Sequence, residues 1–208
     1  MAGRFITFEG IDGCGKSTHA RSFVDRLAAR GVKALLLREP GGTDIGERIR
    51  GILLDKAHMN MAMEAELLLF TAARAQLVRE VVRPALAAGT VVVLDRFTDS
   101  SEAYQGYGRG LDLDEIRQVN RFATGGLVPD STVLLDLDED EAARRMGVRP
   151  EAADRLDDEG ASFMKRVRDG YRKLAQRSPE RFRVVSASGS VDEVDERIDA
   201  ILKEEMTS

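Results

Sequence analysis

The chain has 208 residues, 43% hydrophobic and 32% charged, with a formal net charge of −5. That composition supports a sizeable core and excludes a disordered chain, and the acidic balance excludes a general nucleic-acid binder, which needs a surplus of Lys and Arg. A single cysteine, Cys14, permits no internal disulfide, and there is no signal-type N-terminal core or uninterrupted apolar span, so a cytoplasmic protein that neither binds nor crosses a membrane is expected.

Short β-like runs alternate with helical stretches. A first strand covers 4–8, and a helix covers 16–30, with Ala20, Phe23, Val24, Leu27 and Ala28 on one face and Gly31 at its end. KALLLR (33–38) is a second strand, followed by helices over about 44–54 and 63–88. TVVVLD (90–95) is a third strand, with helical pieces near 98–106 and 112–123 after it. STVLLDLD (131–138) and RFRVVSA (181–187) are the fourth and fifth strands; a helix, an Arg-rich loop and a second helix over 159–177 lie between them. An amphipathic helix carrying Val191, Val194, Ile198, Ile201 and Leu202 closes the chain. Runs such as VVVL are apolar at successive positions, as in strands covered on both faces. The pattern predicts one α/β domain over 1–208, a five-stranded parallel sheet with helices on both sides, and ligands at the carboxyl ends of the strands.

GIDGCGKS, Gly10 to Ser17, fits G-x-x-x-x-G-K-[ST] at every fixed position, with a strand before it and a helix after it. The alternative, a glycine-rich turn merely joining strand to helix, would not require the Lys-Ser pair. A P-loop NTPase fold is therefore predicted. The backbone of Gly10, Ile11, Asp12, Gly13, Cys14 and Gly15, with Lys16, Ser17 and Thr18, would cradle the phosphates of ATP. Lys16 brings charge to the outer phosphates, and the Ser17 hydroxyl can ligate Mg²⁺. Cys14 reads as a small residue facing away, since such a loop binds through its backbone. No Asn-Lys-x-Asp segment follows a strand, which argues against a GTPase.

EGIDGCGKST, REPGGT, DRF, SSEAYQGYGRG, VPD and an Arg-rich segment ending DRLDDE occur in the order and spacing of bacterial thymidylate kinases, which the chain resembles along nearly its whole length. That resemblance implies ATP-dependent phosphorylation of dTMP to dTDP in dTTP synthesis. It places Asp12 at the acceptor deoxyribose, Arg96 at the acceptor phosphate as a catalytic clamp, and Glu39 and Arg50 on the acceptor side. Phe70 and Arg74, spaced i, i+4, would stack on thymine and bond a carbonyl; Ser101 and Gln105, spaced alike, would read its polar edge; and Tyr104 would crowd a 2′-hydroxyl. Asp95, ending an apolar strand, suits a carboxylate near Mg²⁺ beside Ser17. The bland alternatives are a turn-stabilising Asp12, a solvated Arg50 or Gln105, a capping Ser101 and a core Tyr104 or Phe70.

RRMGVRPEAADR (144–155) falls where the family carries a mobile lid, here about 144–156. Some members place an arginine within the P-loop; that position is Gly13 here, as in the bacterial type whose lid arginines supply the charge. Arg149 and Arg155 lead as catalytic candidates, with Arg145 next. The family is dimeric, so a homodimer is expected. His19 and His58 have no metal-ligand or catalytic spacing and read as surface or packing residues. Two other functions stay open: a deoxynucleoside kinase using Glu39 or Asp95 as base, and an ATP-dependent switch with a protein partner.

Overall fold

The computed structural model describes residues 3–147, 155 and 160–206. Five parallel strands, β1 (Phe5–Glu9), β2 (Ala34–Arg38), β3 (Val91–Asp95), β4 (Ser131–Asp136) and β5 (Phe182–Ser186), form one sheet in the order β2-β3-β1-β4-β5. The helices are α1 (Lys16–Ala29), α2 (Asp44–Leu54), α3 (Met63–Leu77), α4 (Arg83–Ala87), α5 (Thr98–Ser101), α6 (Leu113–Thr124), α7 (Glu139–Met146), α8 (Ala161–Arg177) and α9 (Val191–Met206).

The continuous apolar strands bury both faces, as predicted. In β3, Val91 and Val93 join a core with Phe23 and Leu27 of α1 and Ile198 of α9, while Val92 and Leu94 turn to Leu77, Val78 and Val82. Each such side chain, when fully buried, contributes about 1.5–3 kcal/mol before its ordering cost.

Two helical stretches depart from regular geometry. The expected unbroken helix over 63–88 is α3, a π turn at Val78–Val82, and α4. Pro84 lacks an N–H, so the i→i−4 ladder cannot run through it, and the wider turn lies just before. After β3, α5 passes into π turns over Glu102–Gly108. A Cβ on Gly108 would sit 2.8 Å from the Phe163 ring of α8, so glycine permits this close approach.

Register places the site. Phe8 and Arg38 both pair with Asp95. The carboxyl ends of β1, β2 and β3 thus stand level, and the segments leaving them meet beside the strand where the sheet order reverses. The first strand runs one residue further than its sequence pattern indicates, which makes Glu9 a strand-end carboxylate.

Candidate active site

A cavity of about 900 Å³ opens over these strand ends. Asp12, Gly13, Gly15, Lys16, Ser17 and Thr18 form one wall. Gly15 adopts φ 91° and leads directly into α1, so the loop backbone ends at a helix N-terminus. Lys16 is buried; its Nζ donates to the Ile11 carbonyl at 2.8 Å and lies 3.9 Å from Asp12. Ser17 Oγ donates to Asp95 Oδ2 at 2.5 Å, and Asp95 Oδ1 is buried without a hydrogen-bond partner. Gly10, Ile11 and Cys14 of the loop are buried and do not line the cavity. Cys14 is wholly buried and burial pushes its thiol pKa up, an inert packing residue that faces away as expected.

Arg96 occupies the centre. Its φ of 72° is the sole positive value among described non-glycine residues, a conformation costing about 1–3 kcal/mol that persists where surrounding bonds enforce it. The Arg96 N–H donates to the Phe8 carbonyl at 3.0 Å, and the next N–H, of Phe97, donates to Glu9 Oε1 at 2.7 Å. The guanidinium donates through Nη2 to Asp12 at 2.6 Å and to Tyr104 Oη at 3.1 Å, and through Nη1 to Ser100 at 3.1 Å. It also lies 4.9 Å from the centre of the Tyr104 ring. Tyr104 Oη donates to the other Asp12 oxygen at 2.7 Å. Burial raises the Asp12 pKa, but Arg96, Lys16 and the Tyr104 hydroxyl outweigh it and hold the carboxyl well below its usual range. Beneath Arg96, Glu9 Oε2 accepts from Ser100 at 2.6 Å and from Tyr171 at 2.7 Å. Burial and nearby Asp99 raise the Glu9 pKa to about 7.

The far wall holds Phe70, Arg74, Ser101 and Gln105, with Glu39 and Arg50 across from it. Phe70 is half-buried, as a ring facing a cavity would be. Arg74 is buried, and its donors are directed by the fold. Nε donates to Glu39 at 2.7 Å, Nη1 to Ser101 at 2.9 Å and to Asn120, and Nη2 to the Phe97 carbonyl at 3.0 Å. Gln105 donates to Glu66 at 2.8 Å. Arg50 donates to the Pro40 carbonyl at 3.0 Å, following a cis Glu39–Pro40 peptide.

The family model for thymidylate kinase matches residues 8–198. The chain belongs to the thymidylate kinase family. The thymidylate kinase of Pelotomaculum thermopropionicum is 50% identical over 188 residues, 90% of this chain and 87% of the relative. That of Desulfovibrio desulfuricans is 52% identical over 196 residues, 91% of this chain and 90% of the relative. That of Desulforudis audaxviator is 53% identical over 188 residues, 90% of this chain and 84% of the relative.

Compared with the thymidylate kinase pattern, the lid candidates separate. Arg145 lines the cavity from α7, bonded to Glu141 at 3.0 Å and to the Ala187 carbonyl at 3.2 Å. Arg149 lies outside the described residues. Arg155 is not among the cavity-lining residues: it is buried, with Nε donating to the Leu53 carbonyl at 2.7 Å and Nη2 to Glu66. The structure also gives a reason for Gly13 in the loop. A Cβ there would lie 2.4 Å from the Ala142 carbonyl of α7, at φ 82°. In this arrangement α7 occupies the space a P-loop side chain would need.

Sequence reading missed Glu9, Ser100, Tyr171, Asn120 and Glu66. Glu9 had a signal, a lone carboxylate at the end of an apolar strand. Tyr171, on α8 far along the chain, had none. His19 is a packing residue, buried with Nδ1 2.7 Å from Asp195 of α9, and His58 is exposed.

Proposed function

We propose that residues 1–208 act as one domain that transfers the γ-phosphoryl group of ATP to dTMP, giving ADP and dTDP. The observation carrying this reading is the continuity of the cavity: Lys16 and Ser17 at one end, Arg96 and Asp12 between, Phe70 and Gln105 at the other. The acceptor is itself a phosphate, so positioning and charge neutralisation suffice and no strong base is needed. Lys16 neutralises the donor phosphates. Arg96, with its fork held by Asp12 and Tyr104, and Arg50 are the acceptor-phosphate ligands. Asp12, held ionised, accepts from the sugar 3′-hydroxyl. Arg145 and Arg149 are the lid candidates for charge developing in transfer; Arg155 would have to leave Glu66 to join them.

Mg²⁺ fits the pair of Ser17 and Asp95, because a buried carboxylate oxygen there has no hydrogen-bond partner. Among the described residues no group of three His, Cys, Asp or Glu could hold a metal, so remaining ligands would be phosphate oxygens and water, as Mg²⁺ prefers. When bound, the ion would withdraw charge from the phosphates. Leu68 of α3 and Phe122 of α6 are large apolar side chains left exposed on helices that pack together, which supports a homodimer that covers them. A free, buried cysteine suits the cytoplasm, and among the described residues no helix is long and apolar enough to cross a membrane.

The rival deoxynucleoside kinase acts on a neutral sugar hydroxyl and would leave the cavity-lining cations Arg50 and Arg96 without an acceptor phosphate to bind. The test is ADP release with dTMP, dUMP, dCMP, dGMP, dAMP and thymidine as acceptors. Preference for dTMP is expected, with transfer lost in folded Lys16→Ala. Thymidine turned over in place of dTMP, or slow hydrolysis indifferent to any acceptor, would overturn the assignment.

A further inference from the structure

Glu66 lies on α3 one turn before Phe70 and two turns before Arg74, so the helix forming the far wall also carries a buried carboxylate. Its side chain is 1% exposed. Oε1 accepts from Gln105 Nε2 at 2.8 Å and from Arg109 Nε at 2.6 Å; Oε2 accepts from Arg109 Nη2 at 3.0 Å and from Arg155 Nη2. Burial pushes the Glu66 pKa up, but the bonds from Arg109, Gln105 and Arg155 bring it below the ordinary carboxylate value.

An ionised carboxylate accepts and cannot donate, whereas the Gln105 amide has a donating nitrogen and an accepting oxygen. Only the nitrogen can face Glu66. Turned over, Oε1 would meet a carboxylate oxygen, with a charge-assisted bond lost. Gln105 lines the cavity but is 3% exposed, so water can do little to compensate a wrong partner. The oxygen, kept off Glu66, is the end of the amide held for a ligand.

We propose that Glu66 is a specificity-positioning residue: by fixing the Gln105 amide with its oxygen presented to the base, it selects a pyrimidine with a ring N–H there and rejects one with a ring-nitrogen lone pair. This rests on dTMP being the acceptor, since thymine carries N3–H and cytosine N3 is an acceptor. Glu66 does not line the cavity and reaches the base through Gln105.

The experiment compares kcat/KM for dTMP and dCMP in wild type, Glu66→Gln, Gln105→Ala and the double variant. Glu66→Gln supplies a carboxamide that can face either end of Gln105, so the dTMP/dCMP ratio should fall about tenfold to a hundredfold, the effect of one mismatched buried hydrogen bond. Gln105→Ala should lower the ratio similarly, and the double variant no further than Gln105→Ala alone. A purely structural role would depress both substrates equally. An unchanged ratio in either single variant, or additive losses in the double, overturns the proposal. Should Glu66→Gln fail to fold, competition by N3-methyl-dTMP against dTMP on wild type decides: binding at least tenfold weaker is expected, and equal binding overturns it. A failure of the dTMP reading itself looks different, because wild type would then not turn over dTMP at all.

Discussion

Arg74 of α3 and Glu39, the residue after β2, form an ion pair 2.6 Å apart with side chains 1% and 2% exposed. Two charges removed this far from water are tolerated only together. Burial raises the Glu39 pKa and Arg74 draws it back, while Phe97, Ser101 and Asn120 take the remaining Arg74 donors. The pair therefore joins the strand end to the base-side wall.

Arg74→Ala should lose stability and activity together. Removing one partner strands a buried carboxylate, a cost of about 3–5 kcal/mol, and dTMP kcat/KM should fall at least about tenfold in the folded fraction. Urea unfolding and steady-state kinetics on the same preparation separate the effects. Full activity on dTMP would show that the base-side wall lies elsewhere.

Gly13→Ala should weaken ATP binding. A non-glycine residue at φ 82° costs about 1–2 kcal/mol, and its Cβ would also meet the Ala142 carbonyl at 2.4 Å, so loop or α7 must move. A raised KM for ATP with a lowered Tm is expected. Wild-type values of both would mean that α7 does not press on the loop.

Glu9 should give stability a distinct pH dependence. Its pKa rises from 4.5 to about 7 on folding, so between those values the folded protein holds a proton that the unfolded chain releases. The contribution is fully present below pH 4.5 and is lost as the pH rises through about 7. The loss is about 3 kcal/mol at ~1.4 kcal/mol per pH unit. Unfolding free energies at several pH values for wild type and Glu9→Gln should diverge in this window. Parallel curves would rule out the buried, protonated carboxyl.

Tyr104→Ala should relax sugar selection. The ring lies under Arg96 and its hydroxyl bonds Asp12, the residue assigned to the 3′-hydroxyl. Wild type should disfavour the ribo-analogue of dTMP, and the variant should discriminate less while losing kcat through a loosened Arg96. Equal discrimination in both proteins, read as the ratio of kcat/KM values, would remove Tyr104 from that task.

The amino-acid sequence by itself determined the parallel sheet, the phosphate loop and most of the cavity wall. Continuous apolar strands state that both faces are covered, and the P-loop is local, so its residues need only their neighbours to be read. Phe70 with Arg74 and Ser101 with Gln105 are singled out by the resemblance to thymidylate kinases, and helical spacing puts each pair on one face. Tertiary structure alone decided who partners whom. That Glu9 underlies the Arg96 turn, that Glu66 fixes the Gln105 amide and that Arg155 turns to α3 follow from contacts between segments up to 162 residues apart, as for Glu9 and Tyr171. Hydrogen-bond direction and burial belong to such contacts, and no periodicity along a chain encodes them.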